Sequence, residues 1–71
     1  MGKVYKYIRL VGTSEKSYST AIENAIKRAD KTLEGLSWFE VVEHRGAIKK
    51  GGKLEHQVTV RVAFEVYDVH P

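Results

Sequence analysis

From Val58 to Val66 this chain alternates with a period of two. Val58, Val60, Val62, Phe64 and Val66 share one parity; Gln57, Thr59, Arg61, Ala63 and Glu65 share the other. That period describes a strand with one buried face, and a helix cannot satisfy it. Extended outward to its polar limits, the segment runs from Leu54 to Tyr67. About fourteen residues at ~3.3 Å each give a strand of roughly 45 Å. Such a strand needs neighbours for its backbone groups and a cover for its valines. The rest of the chain has to supply both.

Lys3 to Val11 reads as a first strand, rich in β-branched and aromatic residues (Val4, Tyr5, Tyr7, Ile8, Val11), with Gly12-Thr13-Ser14 as its break. The spacing of Tyr18, Ile22, Ala25, Ile26, Ala29, Leu33 and Leu36 predicts a helix from about Ser17 to Leu36. Glu23, Lys27, Asp30, Lys31 and Glu34 fall on its solvent side. Ser14 or Ser17 is its N-cap, and Gly35 is a left-handed stop. Trp38 to Ile48 is the second strand, and Lys50-Gly51-Gly52-Lys53 turns it into the last one.

The order is therefore β-α-β-β. A right-handed crossover makes the first two strands parallel, and the third fits between them, antiparallel to both. The expected fold class is α+β: a three-stranded antiparallel sheet partly wrapped around one helix, with residues 1–71 as a single domain. A helix of about twenty residues spans only ~30 Å, so part of the hairpin projects beyond it. The face carrying Gln57, Thr59, Arg61 and Ala63 then suits a polar, self-associating interface.

Size makes self-association more than decoration. A chain of 71 residues has a marginal core, and small domains usually add a staple. With no cysteine there is neither disulfide nor thiolate metal site. His44, His56 and His70 lack the short spacings of a zinc site. A bound ligand or an oligomer is what remains. The net charge of +3 is scattered through the sequence, too weak and dispersed for a nucleic-acid footprint. The polar face of the last strand also has no stacking aromatic before Tyr67. No apolar run is long enough to span a membrane and no signal-peptide pattern is present, so a cytoplasmic protein is the expectation.

Trp38, the only tryptophan, has two possible jobs: to plug the core or to offer a flat face for stacking. Glu40 and Glu43 would lie on opposite faces of a regular strand, a poor pair for acid–base chemistry, and Glu40 reads as a salt-bridge or channel residue. His44 and His56 read as solvated strand residues or, alternatively, as a paired metal site. No nucleophile, base and metal constellation supports turnover, which points away from an enzyme.

Taken in order, Val11-Gly12-Thr13-Ser14, Ala21-Ile22-x-x-Ala25-Ile26-x-Arg28-Ala29, Thr32-Leu33, Trp38-Phe39-Glu40-Val41, Arg45-Gly46, Gln57-Val58 and Val62-Ala63-Phe64 resemble the dodecins. The resemblance covers nearly the whole chain. It implies the same β-α-β-β fold, assembly into a hollow homododecamer, and flavins bound in pairs at subunit interfaces against tryptophans of symmetry-related chains. Trp38 matches that tryptophan. Gln57 matches the glutamine that hydrogen-bonds the pyrimidine edge of the flavin. Arg45 matches a position often basic, where it meets the phosphate of FMN or coenzyme A; a solvated arginine paired with a carboxylate is the alternative. Lys3 and Tyr5 are further candidates of the same kind. Glu65 departs from an arginine common in bacterial dodecins, which disfavours a phosphate there and affects riboflavin or lumichrome less. The implied function is storage or sequestration of riboflavin, FMN or lumichrome with quenching of flavin photochemistry. The alternative is a structural shell that binds no flavin, or a different ligand such as coenzyme A. Strand parity leaves one question: with the hairpin centred near Gly51, Trp38 and Gln57 need not share a face, unless a bulge near Gly46 shifts the register or different subunits supply them.

Overall fold

The computed structural model describes residues 2–67, so His70 lies outside the described residues. Strand β1 (Val4–Ser14) leads to helix α1 (Tyr18–Thr32), then to strands β2 (Leu36–Ile48) and β3 (Leu54–Val66), the last two joined through one 3-10 turn at Lys50–Gly52. The sheet order is β1-β3-β2, and β3 is antiparallel to both neighbours. The alternating strand is thus the central one. Its Val58, Val60 and Val62 are fully buried against Ala21 and Ala25 of α1. Three small residues, Ala21, Ala25 and Ala29, form the buried stripe of the helix. They bring its axis close to the valines, and Ile8, Leu10, Ile22, Ile26 and Leu36 close the sides.

The helix is shorter than its apolar spacing predicts. Ser17 is the N-cap, and its Oγ accepts from the Thr20 N–H at 3.0 Å. The other end comes at Thr32, because Leu33 is already extended and donates its N–H to the Ala29 carbonyl at 3.0 Å. Leu33 and Leu36 therefore leave the helical stripe, and Ala21 takes a place in it. Gly35 does adopt positive φ (75°), but in the link to β2 rather than at a helix cap. There its carbonyl accepts the Glu65 N–H at 2.9 Å.

Gly12 does not break β1. The strand runs through it, opposite Val58. A Cβ at Gly12 would stand 1.9 Å from the Ala21 carbonyl oxygen, so the missing side chain is what lets α1 cross the strand. The Asn24 side chain donates to the Thr13 carbonyl at 2.9 Å and fastens the same crossing. At the hairpin end Gly51 and Gly52 both take φ of 80°, as the paired glycines predict.

Helix α1, with 15 residues, covers ~22 Å, whereas the 13 residues of β3 cover ~43 Å. The principal extents are 57 × 20 × 14 Å, so the hairpin projects beyond the helix. Helix α1 rests mainly on β1 and β3; on the inner face of β2 it meets Leu36 and His44 near the two ends and leaves the stretch between them half-exposed. Phe39 and Val41 of that face, opposite Val62 and Val60, are 46% and 41% exposed.

Two register shifts in β2, between Leu36 and Trp38 and between Val41 and Glu43, decide which side chains share a face. Trp38 and Glu40 stand opposite Ala63 and Arg61; after the second shift Glu43 and Arg45 stand opposite Thr59 and Gln57. All eight positions lie on the face away from the helix. The irregularity that aligns them is at Val42, not near Gly46. It also places Glu40 and Glu43 on one face, correcting the opposite-face expectation from simple alternation.

Candidate functional site

The open face of the sheet reads in rows across β1, β3 and β2. The row through Ala63 has Tyr7 on one side and Trp38 on the other. Alanine in the middle leaves room for two large rings to lean over it. The Tyr5 ring centroid lies 4.8 Å from that of Trp38 at 57°. The Tyr7 ring meets the indole edge-on at 6.1 Å. These are geometries in which aromatic quadrupoles attract. Trp38 is 43% exposed, so it is not the core plug.

Beneath the rings is a charged anchor. The Trp38 indole N–H is shared between Tyr7 Oη at 3.2 Å and Glu40 Oε2 at 3.4 Å. The Tyr7 hydroxyl donates to Glu40 Oε2 at 2.5 Å, and Arg61 Nη2 donates to Glu40 Oε1 at 2.6 Å. The Arg61 guanidinium carbon sits 4.3 Å from the Tyr7 ring centroid. Glu40 is thus the salt-bridge residue the sequence suggests. The Tyr7 hydroxyl, and next the Arg61 guanidinium, hold its carboxyl below the usual carboxylate range. Tyr7 is the functional neighbour that sequence reasoning missed. Its shared parity with Tyr5 on β1 was the available signal.

A second cluster lies further along the same face. Arg45 Nε donates to Gln57 Oε1 at 2.7 Å, and its Nη1 donates to Glu43 at 2.8 Å and Thr59 at 3.3 Å. The Gln57 amide N–H donates to Glu55 at 3.0 Å, and Lys49 pairs with Glu55 at 3.3 Å. The Gln57 amide first, then Lys49, lowers the Glu55 carboxyl. One oxygen lone pair and one N–H of the Gln57 amide remain for an outside partner.

Within one protomer these clusters stay apart. Trp38 sits at the Ala63 row and Arg45 at the Gln57 row, six residues and roughly 20 Å along β3. Tyr5 joins Trp38, Gln57 joins Arg45, and Lys3 joins neither; it lines an open groove with Val4, Glu65 and Tyr67. Aromatics from β1 and β2 do flank the polar face of β3, although β3 contributes none there. His44 and His56 lie on the helix face, each with a ring contact to Tyr18; His44 is exposed, as expected of a solvated strand residue, whereas His56 is half-buried. Among the described residues no three His, Cys, Asp or Glu converge, and no helix is long and apolar enough to cross a membrane.

Comparison with known proteins adds an independent line. Residues 4–67 match the family model described as Dodecin. A dodecin of Thermus thermophilus is 53% identical over 66 residues, covering 93% of this chain and 96% of that protein. A solved variant of T. thermophilus dodecin superposes with a TM-score of 0.89 at 50% identity, over 96% of this chain and all of the other. The dodecin of Streptomyces davaonensis gives a TM-score of 0.88 at 41% identity, over 96% of this chain and all of its own. The calcium dodecin of Mycobacterium tuberculosis is 29% identical over 68 residues, 96% of each chain. Its crystal structure superposes with a TM-score of 0.84.

Proposed function

The chain belongs to the dodecin family, and from that premise we propose that it is a non-enzymatic protein that sequesters flavin at the subunit interfaces of a homododecamer and quenches its photochemistry. The observation that carries the reading is the Trp38 ring: large, half-exposed, and held from one side by Tyr5, Tyr7 and Glu40. A ring fixed in that way is pre-organised for stacking. Indole is electron-rich and isoalloxazine electron-poor, so offset stacking adds ~0.5–1.5 kcal/mol beyond buried area. The same contact lets indole donate an electron to the excited flavin and return it to the ground state without photochemistry.

Gln57 fixes the pyrimidine edge with the acceptor and donor left over from Arg45 and Glu55. Since Trp38 and Gln57 are far apart in one protomer, the pocket takes them from different copies. The length of the hairpin and the half-exposed apolar face of β2 favour such assembly. Arg45, already engaged by Glu43, Thr59 and Gln57, acts on the flavin through Gln57 as well as by its charge. Lys3 and Tyr5 are the remaining contacts in this reading. Glu65, opposite Tyr5, favours riboflavin or lumichrome over the phosphate-bearing FMN and coenzyme A.

The deciding experiment is titration of ligand-free protein with riboflavin, FMN and lumichrome, followed by flavin fluorescence, with Trp38→Ala in parallel. Saturating quenching near one flavin per chain, lost in the variant, is the expected result. An intact large oligomer with no quenching would reduce the function to a shell or move it to another ligand.

A further inference from the structure

On the helix face of the sheet lies a cluster unrelated to the flavin reading. His44 of β2 stands opposite Val58, and His56 of β3 stands opposite Gly46, so the two histidines are diagonal neighbours on one face. Diagonal partners in an antiparallel pair are ≈ 7–8 Å apart at Cα, within reach for long side chains. Tyr18, the first residue of α1, packs against both. Its ring centroid is 4.6 Å from each imidazole, with interplanar angles of 61° and 64°. Gly46 leaves the space beside His56 free of a side chain. The polar groups of the opposite face bond to one another, Arg45 to Gln57 and Gln57 to Glu55. Among the described residues neither imidazole has a hydrogen-bond partner.

We propose that His44 and His56 form a two-imidazole site for a borderline divalent transition-metal ion, of the zinc, nickel or copper kind. Imidazole is the ligand those ions share. Bonds of about 2.0 Å in tetrahedral geometry place two ligand nitrogens about 3.3 Å apart, so binding requires both diagonal imidazoles to turn toward one ion. Tyr18 limits the rotamers of both rings and keeps them on one side, so less ordering remains to be done on binding. No third His, Cys, Asp or Glu joins them among the described residues. The remaining coordination positions therefore belong to water or to another copy, and the site is open and exchangeable rather than structural. Calcium and magnesium, which require oxygen ligands, do not fit this donor set.

The test is calorimetric titration of metal-free, untagged protein with Zn²⁺, Ni²⁺ and Cu²⁺, plus electron paramagnetic resonance of the Cu²⁺ form. One ion per chain with two nitrogen ligands, and no heat from Mg²⁺ or Ca²⁺, is expected. Either His44→Gln or His56→Gln should weaken binding by at least roughly tenfold, the lower end of what even outer-shell changes cost a metal site. His70→Ala should leave it unchanged, and Tyr18→Ala should weaken it where Tyr18→Phe does not. Sedimentation and flavin quenching establish that each variant folds and assembles. Binding that survives both glutamine substitutions, binding lost only with His70→Ala, or no binding by the folded parent chain would each overturn the site.

Discussion

Trp38 owes its position to the smallness of Ala63 and its orientation to Tyr7 and Glu40. Trp38→Phe keeps a ring but loses the indole donor and much of the stacking area. Flavin affinity should fall by a factor of roughly 2 to 13, the equivalent of ~0.5–1.5 kcal/mol, as read by fluorescence titration. Glu40 carries a pH signature. Its carboxyl lies below the usual value of 4.5 in the folded chain, so the unfolded chain binds more protons around that pH and stability rises with pH. The contribution is present above about pH 4.5 and is lost as pH falls through the lower folded value. Glu40→Gln should therefore flatten the acid limb of a melting-temperature profile taken from pH 3 to 6. Tyr7→Phe, which removes the largest cause of the shift, should flatten it in part. An unchanged acid limb in both variants would show that the carboxylate–hydroxyl–guanidinium cluster does not contribute to stability in solution.

Among the elements, the two kinds of glycine behave differently for a physical reason. At Gly12 the backbone is an ordinary strand, but an added Cβ would collide with the Ala21 carbonyl at 1.9 Å. Backbone cannot rotate away as a side chain can, so Gly12→Ala should push α1 off the sheet. The expected loss is at the upper end of overpacking costs, ~3 kcal/mol, read by chemical denaturation. At Gly51 and Gly52 nothing lies within 4 Å of an added Cβ, but φ is 80°. Alanine at either should cost about 1 kcal/mol, from backbone strain alone. Equal losses at Gly12 and Gly51 would contradict the distinction. The register of β2 belongs to this scale too. A slip of one residue moves a whole strand segment to the other face, and the irregularity at Val42 is what gathers Glu43 and Arg45 beside Thr59 and Gln57.

For the whole molecule, the decisive fact is that a 15-residue helix, ~22 Å long, cannot cover a hairpin whose strands have 13 residues each and run ~43 Å. Phe39 and Val41 are left on a half-exposed face, and the aromatic and Gln57 clusters are left at separate places on the open one. In the proposed assembly, further copies of the chain would cover the first and complete the second. Phe39→Lys should shift the sedimentation profile to smaller species and weaken flavin quenching with it, because a charge on that face opposes burial. A variant that stays fully assembled would show that β2 meets solvent, not a neighbour.

The sequence by itself determined the element order, the central place of the alternating strand, the glycine turn and the family. Those follow from local periodicity, backbone chemistry and the serial order of residues from Val11 to Phe64, all of which are written along the chain. It also singled out Trp38, Gln57 and Arg45. It misread Gly12 as a breaker, because a close approach between Gly12 and Ala21 is invisible until the helix is placed. It ran the helix to Leu36, because apolar spacing continues past the point where Leu33 turns extended. It put Glu40 and Glu43 on opposite faces, because one register shift inverts parity and no composition marks it. Only the tertiary structure decided that Tyr7 and Glu40 hold the indole, that Arg45 and Glu55 orient Gln57, and that Tyr18 stands against His44 and His56. The contacts of Tyr7, Arg45 and Tyr18 join separate strands or a strand and the helix, at distances set by packing and not by sequence separation, while Glu40 and Glu55 act on neighbours two residues away along their own strands.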